Sequence, residues 1–306
     1  MKKKKTGLWV GMVAIGVLFF GCGKINSAQN NETAVSNTDA NEASGIINNT
    51  LAADNSLHTS DETDSAQMSP QINSETISLK IVDGAKKEEL ILAGKGANDV
   101  YSLPLKDIPV YLDGKSADAS SLKDGITVTI SYDGSVLETF PAKLGSVDGI
   151  YAYSQISDNT AGETPYDLSG LYLKVLEDLW DTDPALNEDS QYISIDLSQA
   201  PGNLTEGEKS AIAWIFASKH NAEPMTLSYQ ELVDQGYVKE MAWKNGILFC
   251  IKSIGKQKKS ANKQQLNFDA SKWRSGDGAI FFNNCTASPT KDGIWTDYAV
   301  GNFAIS

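Results

Sequence analysis

The alternation of apolar and polar positions changes period along the chain, and those changes divide it. Gly7 to Phe20 is an almost unbroken apolar run behind the lysines Lys2 to Lys5. Residues 23–75 carry no aromatic residue and sustain neither a helical nor a strand period. From residue 76 the period becomes two. Ile77, Leu79 and Ile81 alternate with polar neighbours, as do Ile126, Val128 and Ile130, which predicts half-buried strands. Further short strands are predicted at 88–93, 99–103, 109–112, 136–140 and 149–154. Asp-Gly pairs at 83–84, 113–114, 124–125, 133–134 and 148–149 separate them, as turns with positive φ require. Strands at such spacing read as a small β barrel or sandwich over 76–155.

Over 156–306 both periods occur. Leu168, Leu171, Tyr172, Val175, Leu176 and Leu179 form one stripe of a helix that Asp181-Thr182-Asp183-Pro184 ends. Ile193, Ile195 and Leu197 then alternate as a strand. Thr205 with Glu208, and Ser228 with Glu231, are capping-box pairs that open two more helices, the second stopped by Gly236. Strands at 246–253, 264–270, 278–285 and 294–305 complete an antiparallel meander. The fold class expected is α+β, a small β unit followed by an α+β domain.

Charge narrows the partners. The chain carries −13 formally, and residues 76–306 hold 21 basic and 31 acidic residues, a balance of −10. That is the wrong sign for nucleic acid or an anionic membrane surface. In 22–75 one lysine faces eight carboxylates. A segment so poor in apolar surface is expected to be a disordered acidic tether, and as a flexible coil it spans about 40 Å.

The apolar run has the length of a signal-peptide core and falls short of the roughly 20 residues a spanning helix needs. Phe19-Phe20-Gly21-Cys22 resembles a bacterial lipobox, with Phe19 where leucine is usual. The resemblance implies a signal peptide over 1–21 and a diacylglyceryl (and palmitate) lipid on Cys22, which holds the protein on the extracellular face of the cell membrane. Two acyl chains suffice for stable anchoring.

Two further stretches resemble parts of lipoproteins of Gram-positive Firmicutes. Leu112-Asp113-Gly114-Lys115, Ser120-Ser121-Leu122-Lys123-Asp124-Gly125 and Glu138-Thr139-Phe140-Pro141-Ala142 are similar to their small OB-like barrels. Ile195-Asp196-Leu197, Asn203-Leu204-Thr205, Tyr229-Gln230-Glu231-Leu232, Ser271-Lys272-Trp273-Arg274-Ser275-Gly276 and Trp295 are similar to their C-terminal α+β domain, with Asp277 where an apolar residue is common. The order of helices and meander is also compatible with an NTF2-like cone. These likenesses imply location and fold, and no activity.

Candidate chemistry is sparse. Arg274 is the sole arginine, and its planar fork suits bidentate work that lysine cannot do. One reading has Arg274 hold an anionic ligand beside Trp273 as a stacking wall, with Asp277, Asp196 and Tyr298 around it. The preferred reading is an internal pair with a carboxylate such as Asp196, Asp277 or Asp297. Asp181, Asp183, Glu188 and Asp189 miss the spacing of a calcium loop. Lys252, Lys256, Lys258, Lys259 and Lys263 read as a solvated hairpin loop. His220, the only histidine of the folded part, is expected at a helix C-terminus, and His58 lies in the tether. No nucleophile elbow accompanies them, so no catalytic residue, metal or cofactor is assigned. Cys250 and Cys285 are either buried thiols or a disulfide across the meander. The function expected is binding or adaptor work toward an envelope protein or glycan. The alternative is hydrolysis of an envelope polymer by carboxylates near Arg274.

Overall fold

Period two becomes strand almost wherever it occurs. In the computed structural model, residues 74–153, 167–255, 258–260, 263–290, 295 and 297–306 are described, and Cys22, His58 and the tether lie outside them. The first sheet comprises β1 (Glu75–Asp83), β2 (Glu89–Ala93), β3 (Val100–Pro104), β4 (Val110–Leu112), β5 (Lys115–Ala117), β6 (Thr127–Tyr132) and β9 (Val147–Ala152); β7 (Val136–Leu137) and β8 (Lys143–Leu144) form a separate two-stranded ribbon. Its order is β3-β2-β1-β6-β9-β4-β5, antiparallel except for β4 on β9. The strand expected at 136–140 is therefore only two residues long before the chain turns into β8.

α1 (Leu168–Asp181), α2 (Glu206–Lys219) and α3 (Tyr229–Asp234) fall where their stripes and capping boxes place them. Around them β10 (Tyr192–Asp196), β11 (Glu223–Met225), β12 (Gly246–Ser253), β13 (Lys258–Ser260), β14 (Lys263–Ser275), β15 (Gly278–Ala287), β16 (Tyr298–Ala299) and β17 (Asn302–Ile305) form the second sheet. The order is β11-β10-β12-β14-β15-β16, with β13 on β14 and β17 on β15. From β12 onward it is the antiparallel meander. β10 instead runs parallel to both β11 and β12, across connections that contain α2 and α3. The molecule is thus α+β, rich in strand, with two open sheets.

The two blocks share a core. Leu79, Ile81, Leu90, Leu92, Val128 and Ile130 point to one side of the first sheet and pack among themselves. Val82, Ile91, Ala93 and Val100 point to the other side. They join Leu171, Val175, Leu176, Ile212, Phe216, Ile193, Phe249 and Phe268 in a single cluster. α1 and α2 therefore carry apolar residues toward both sheets, and each fully buried side chain of this size stabilises by roughly 1.5–3 kcal/mol. A third, smaller cluster around Trp243, Leu232 and Leu248 lies beneath α3, on the opposite face of the second sheet.

Polar contacts lock the same seam. Thr205 caps α2 by accepting from the backbone of Glu208, while its hydroxyl donates to Gly94 O at 2.7 Å. Glu208 returns the cap to Thr205 N and also lies 2.7 Å from Lys80 Nζ on β1. Gly207 makes this approach possible, since a Cβ there would sit 2.6 Å from Gly94 O and 2.9 Å from Gly96 O. Asp167 caps α1 by accepting from Gly170 N at 2.7 Å. The turn at Gly125 presses against its backbone, where a Cβ would come within 2.8 Å of Asp167 Cα. Burial, with Asp124 and Asp83 nearby, pushes the Asp167 carboxyl up to about 6 against the opposing pull of the Gly170 amide and Lys80.

Two outcomes follow from this seam. Gly207→Ala should lower unfolding stability by about 1–3 kcal/mol in urea titration, because the added methyl meets backbone on a packed face. For Asp167 the folded pKa lies above the unfolded value near 4, so stability falls as pH rises from about 4 to about 6 and stays lower beyond. Asp167→Asn keeps a capping side chain and cannot ionise. It should match the wild type at pH 4 and exceed it by about 2 kcal/mol at pH 7, as read from paired urea curves.

Candidate functional site

β14 carries the residues that drew attention in the sequence, and its register separates them. Leu266, Phe268 and Ala270 face the large core, so Lys272 and Arg274 continue that face. Trp273 points the opposite way, into the small cluster, with its ring 5.0 Å from Tyr229 in an edge-to-face contact. Trp273 is therefore no stacking wall for Arg274.

The Arg274 fork binds neither a carboxylate nor an open cleft. Nη1 donates to Leu186 O at 2.8 Å and to Glu188 O, and Nη2 donates to Lys244 O at 2.7 Å. The internal pair expected with Asp196, Asp277 or Asp297 is replaced by three backbone carbonyls. Planarity explains the choice, because one rigid fork can reach carbonyls on two loops at once.

Lys272 is the residue that sequence reasoning passed over. It is 0% exposed, and its Nζ faces four acceptors: Trp180 O at 3.3 Å, Asp183 O at 3.1 Å, Asn187 Oδ1 at 3.0 Å, and Thr182 O. An ammonium has three donors, so one is shared. The carbonyls belong to the end of α1 and the turn after it, groups that a helix leaves without partners. α1 has no basic residue in its own last turn. Lys272 supplies the cation that complements its C-terminal dipole. Burial pushes the ammonium down to about 8, with Asp183 and Asp181 holding it up. The acidic stretch 181–189, weighed for calcium, is thus drawn onto β14 by two internal cations. Among the described residues no group of three His, Cys, Asp or Glu is arranged to hold a metal ion.

The remaining candidates scatter. Asp196 ends β10 and is 2% exposed; its Oδ1 accepts from Ser198 N at 2.9 Å, and its Oδ2 is buried without a hydrogen-bond partner. Its neighbours Ile195 and Leu197 face the large core, so it projects to the Trp273 side of the sheet. In register it stands beside Cys250, which pairs with Ser271. Asp277 lies at the far hairpin tip, exposed, accepting from Ser275 Oγ at 3.1 Å. Five residues of β14 and its turn separate Ser271 from Asp277, so the two carboxylates do not meet. Tyr298 packs on the core side instead, its ring 6.0 Å from Phe268 and its hydroxyl donating to Asp178 Oδ2 at 2.9 Å.

Cys250 and Cys285 do not pair. Cys285 is a free buried thiol in the large core, pushed up to about 12 by burial, with Asp269 adding to the shift. Cys250 sits between Phe249 and Ile251, which both face that core, so its side chain points to the other face. β14 lies between their strands as well. His220 does end α2, as its C-cap. Its ring stacks on Trp180 at 3.9 Å, and Nε2 lies 3.3 Å from Glu177 Oε2. Burial pushes the imidazole down, against the pull of Glu177. It ties α2 to α1 through Glu177, which also lies 2.7 Å from Lys219 Nζ.

One shallow cleft opens between α2, β11 and the loop after β2, with a volume of about 200 Å³. Phe140, Asn98, Ser210, Pro224 and Met225 line it, all uncharged. Phe140 is 48% exposed and continues into Val136 and Leu137 on the small ribbon, at 41% and 61%. The ribbon is fixed to the first sheet by Ser102 N donating to Ala142 O and Ala142 N donating to Val100 O.

Lys272→Met should lower unfolding stability by about 3 kcal/mol, since buried carbonyls lose their donor. Arg274→Ala should cost less, about 1–2 kcal/mol, and Arg274→Lys should recover only part of it. Denaturant unfolding of the three variants checks the order.

No protein-family model, curated protein or solved structure matches this chain.

Proposed function

We propose that the chain is a lipid-anchored protein of the extracellular membrane face, in which an acidic tether carries a non-enzymatic binding or adaptor module. One observation carries the reading. The two cations best suited to hold an anionic substrate, Lys272 and Arg274, are occupied by the protein's own carbonyls, and the carboxylates of the hydrolase alternative stand apart. Groups so committed hold a scaffold together. One surface left open for recognition is the uncharged cleft at Phe140 and the apolar ribbon beside it. Its volume suits one side chain or one sugar ring, small beside the roughly 300–1,000 Å³ of cofactor and drug-sized sites. Phe140 with the small polar groups of Asn98 and Ser210 fits an envelope protein segment or glycan.

We read the first sheet as an OB-like barrel left open and the second sheet with α1 and α2 as a relative of NTF2-like cones. The parallel bridge of Tyr101 to Ala142, which draws the ribbon against β3, supports the first reading. The sequence likeness to lipoproteins of Firmicutes supports the location.

Growth with a clickable fatty acid should label the wild type and leave Cys22→Ala unlabelled. Envelope fractions captured by the full chain should contain a protein or glycan whose recovery falls at least about tenfold with Phe140→Asp, the loss expected of a central aromatic anchor. Equal capture by both proteins would place recognition elsewhere.

A further inference from the structure

β17 is an edge that its own fold leaves half finished. It pairs with β15 through Ile280 to Ile305 and Phe282 to Phe303, and no strand among the described residues pairs with its other side. Directly opposed residues of antiparallel strands share a face. Ile280 and Phe282 belong to the large core, so Phe303 and Ile305 extend that core face. They extend it without cover, at 53% and 61% exposure. Phe303 makes a ring contact with Phe282, the centroids 6.1 Å apart.

The open edge also carries no charged side chain. From Tyr298 to Ser306 the chain has no Asp, Glu, Lys or Arg, although its formal charge is −13. Edge strands are ordinarily protected by lysine, proline or an inward charge, and Asn302–Ile305 has none of these. A copy of this protein is itself strongly acidic, and this neutral stretch lets two copies approach without opposing like charges.

Backbone phase selects the register. Ser306 N donates inward to Ala279 O. Alternation then turns the amides and carbonyls of Phe303 and Ile305 outward. Two outward residues of one strand pair antiparallel with the same two of another when Phe303 opposes Ile305 of the second copy. Ala304 then faces its own counterpart on the axis.

We propose that β17 is a self-association edge, where two copies pair antiparallel about a twofold axis at Ala304 and join their second sheets into one. The interaction is isologous, as a closed dimer requires. The axis stands normal to the sheet, so Phe303 and Ile305 of both copies fall on one face and cover each other. Four residues per strand make a small interface, which places the dimer in the weak class.

Sedimentation velocity of the full chain in non-ionic detergent tests this. Mass should rise from monomer to dimer between about 1 and about 200 µM, the range of a small interface. Added salt should strengthen the dimer by screening the acidic bodies. Ile305→Asp should weaken it at least about tenfold, and because Ile305 is exposed its thermal unfolding should match the wild type. Under mild oxidation Ala304→Cys should form a covalent dimer beyond the wild-type background, since a non-hydrogen-bonded pair brings Cα atoms to about 4.5 Å. Ser306→Cys, off the axis, should not. A chain that stays monomeric through this range, or equal cross-linking at 304 and 306, overturns the proposal. So does an edge found occupied by an extended segment of another protein.

Discussion

A helix that ends inside a protein leaves carbonyls that something must meet, and here a buried ammonium meets them. Lys272 reaches from the middle of the second sheet to the end of α1, a contact between residues about ninety positions apart. Much else hangs on it. It ties the end of α1 to the sheet against which Leu171, Val175 and Leu179 pack. It also draws the 181–189 connector down to where Arg274 can hold its carbonyls. The two cations work as a pair on alternate residues of one strand, one at the helix end and one at the loop beyond.

The seam between the sheets obeys a similar logic with the charges reversed. Thr205 and Glu208 serve the start of α2 and bond the first sheet at the same time, through Gly94 and Lys80. A capping box usually satisfies only its own helix. Here its outer groups are shared, so the start of α2 and the β2–β3 loop hold each other in place. Asp167 at α1 is held in a less favourable setting, a carboxylate partly desolvated among other carboxylates.

Local patterns carried most of the elements. The stripe from Leu168 to Leu179, both capping boxes and the Asp-Gly turns at Gly84, Gly114, Gly125 and Gly134 lie in short windows, where spacing alone states the geometry. The turn expected at Asp148-Gly149 is instead part of β9, its glycine kept at ordinary φ by pairing with β6. What escaped was long-range. β11 is three residues with a proline in it, and only its parallel seat on β10 makes it a strand. The cluster imagined around Arg274 failed because Trp273 and Arg274, adjacent in sequence, must face opposite sides of a strand. The strand period itself held the warning: Leu266, Phe268 and Ala270 lead to Lys272, a lysine in core register that needed buried acceptors. Cys250 and Cys285 were open for the same reason, since which face each cysteine takes depends on a register that the sequence leaves unstated.

The shared core also makes the two blocks depend on each other to fold. Val82, Ile91, Ala93 and Val100 lie more than a hundred residues before Ile212 and Phe216, which cover them. Until those helices pack on it, the outer face of the first sheet is an apolar surface open to water. The N-terminal third of the fold is therefore not a module that finishes first. It is a half-built interface whose other half is encoded far downstream.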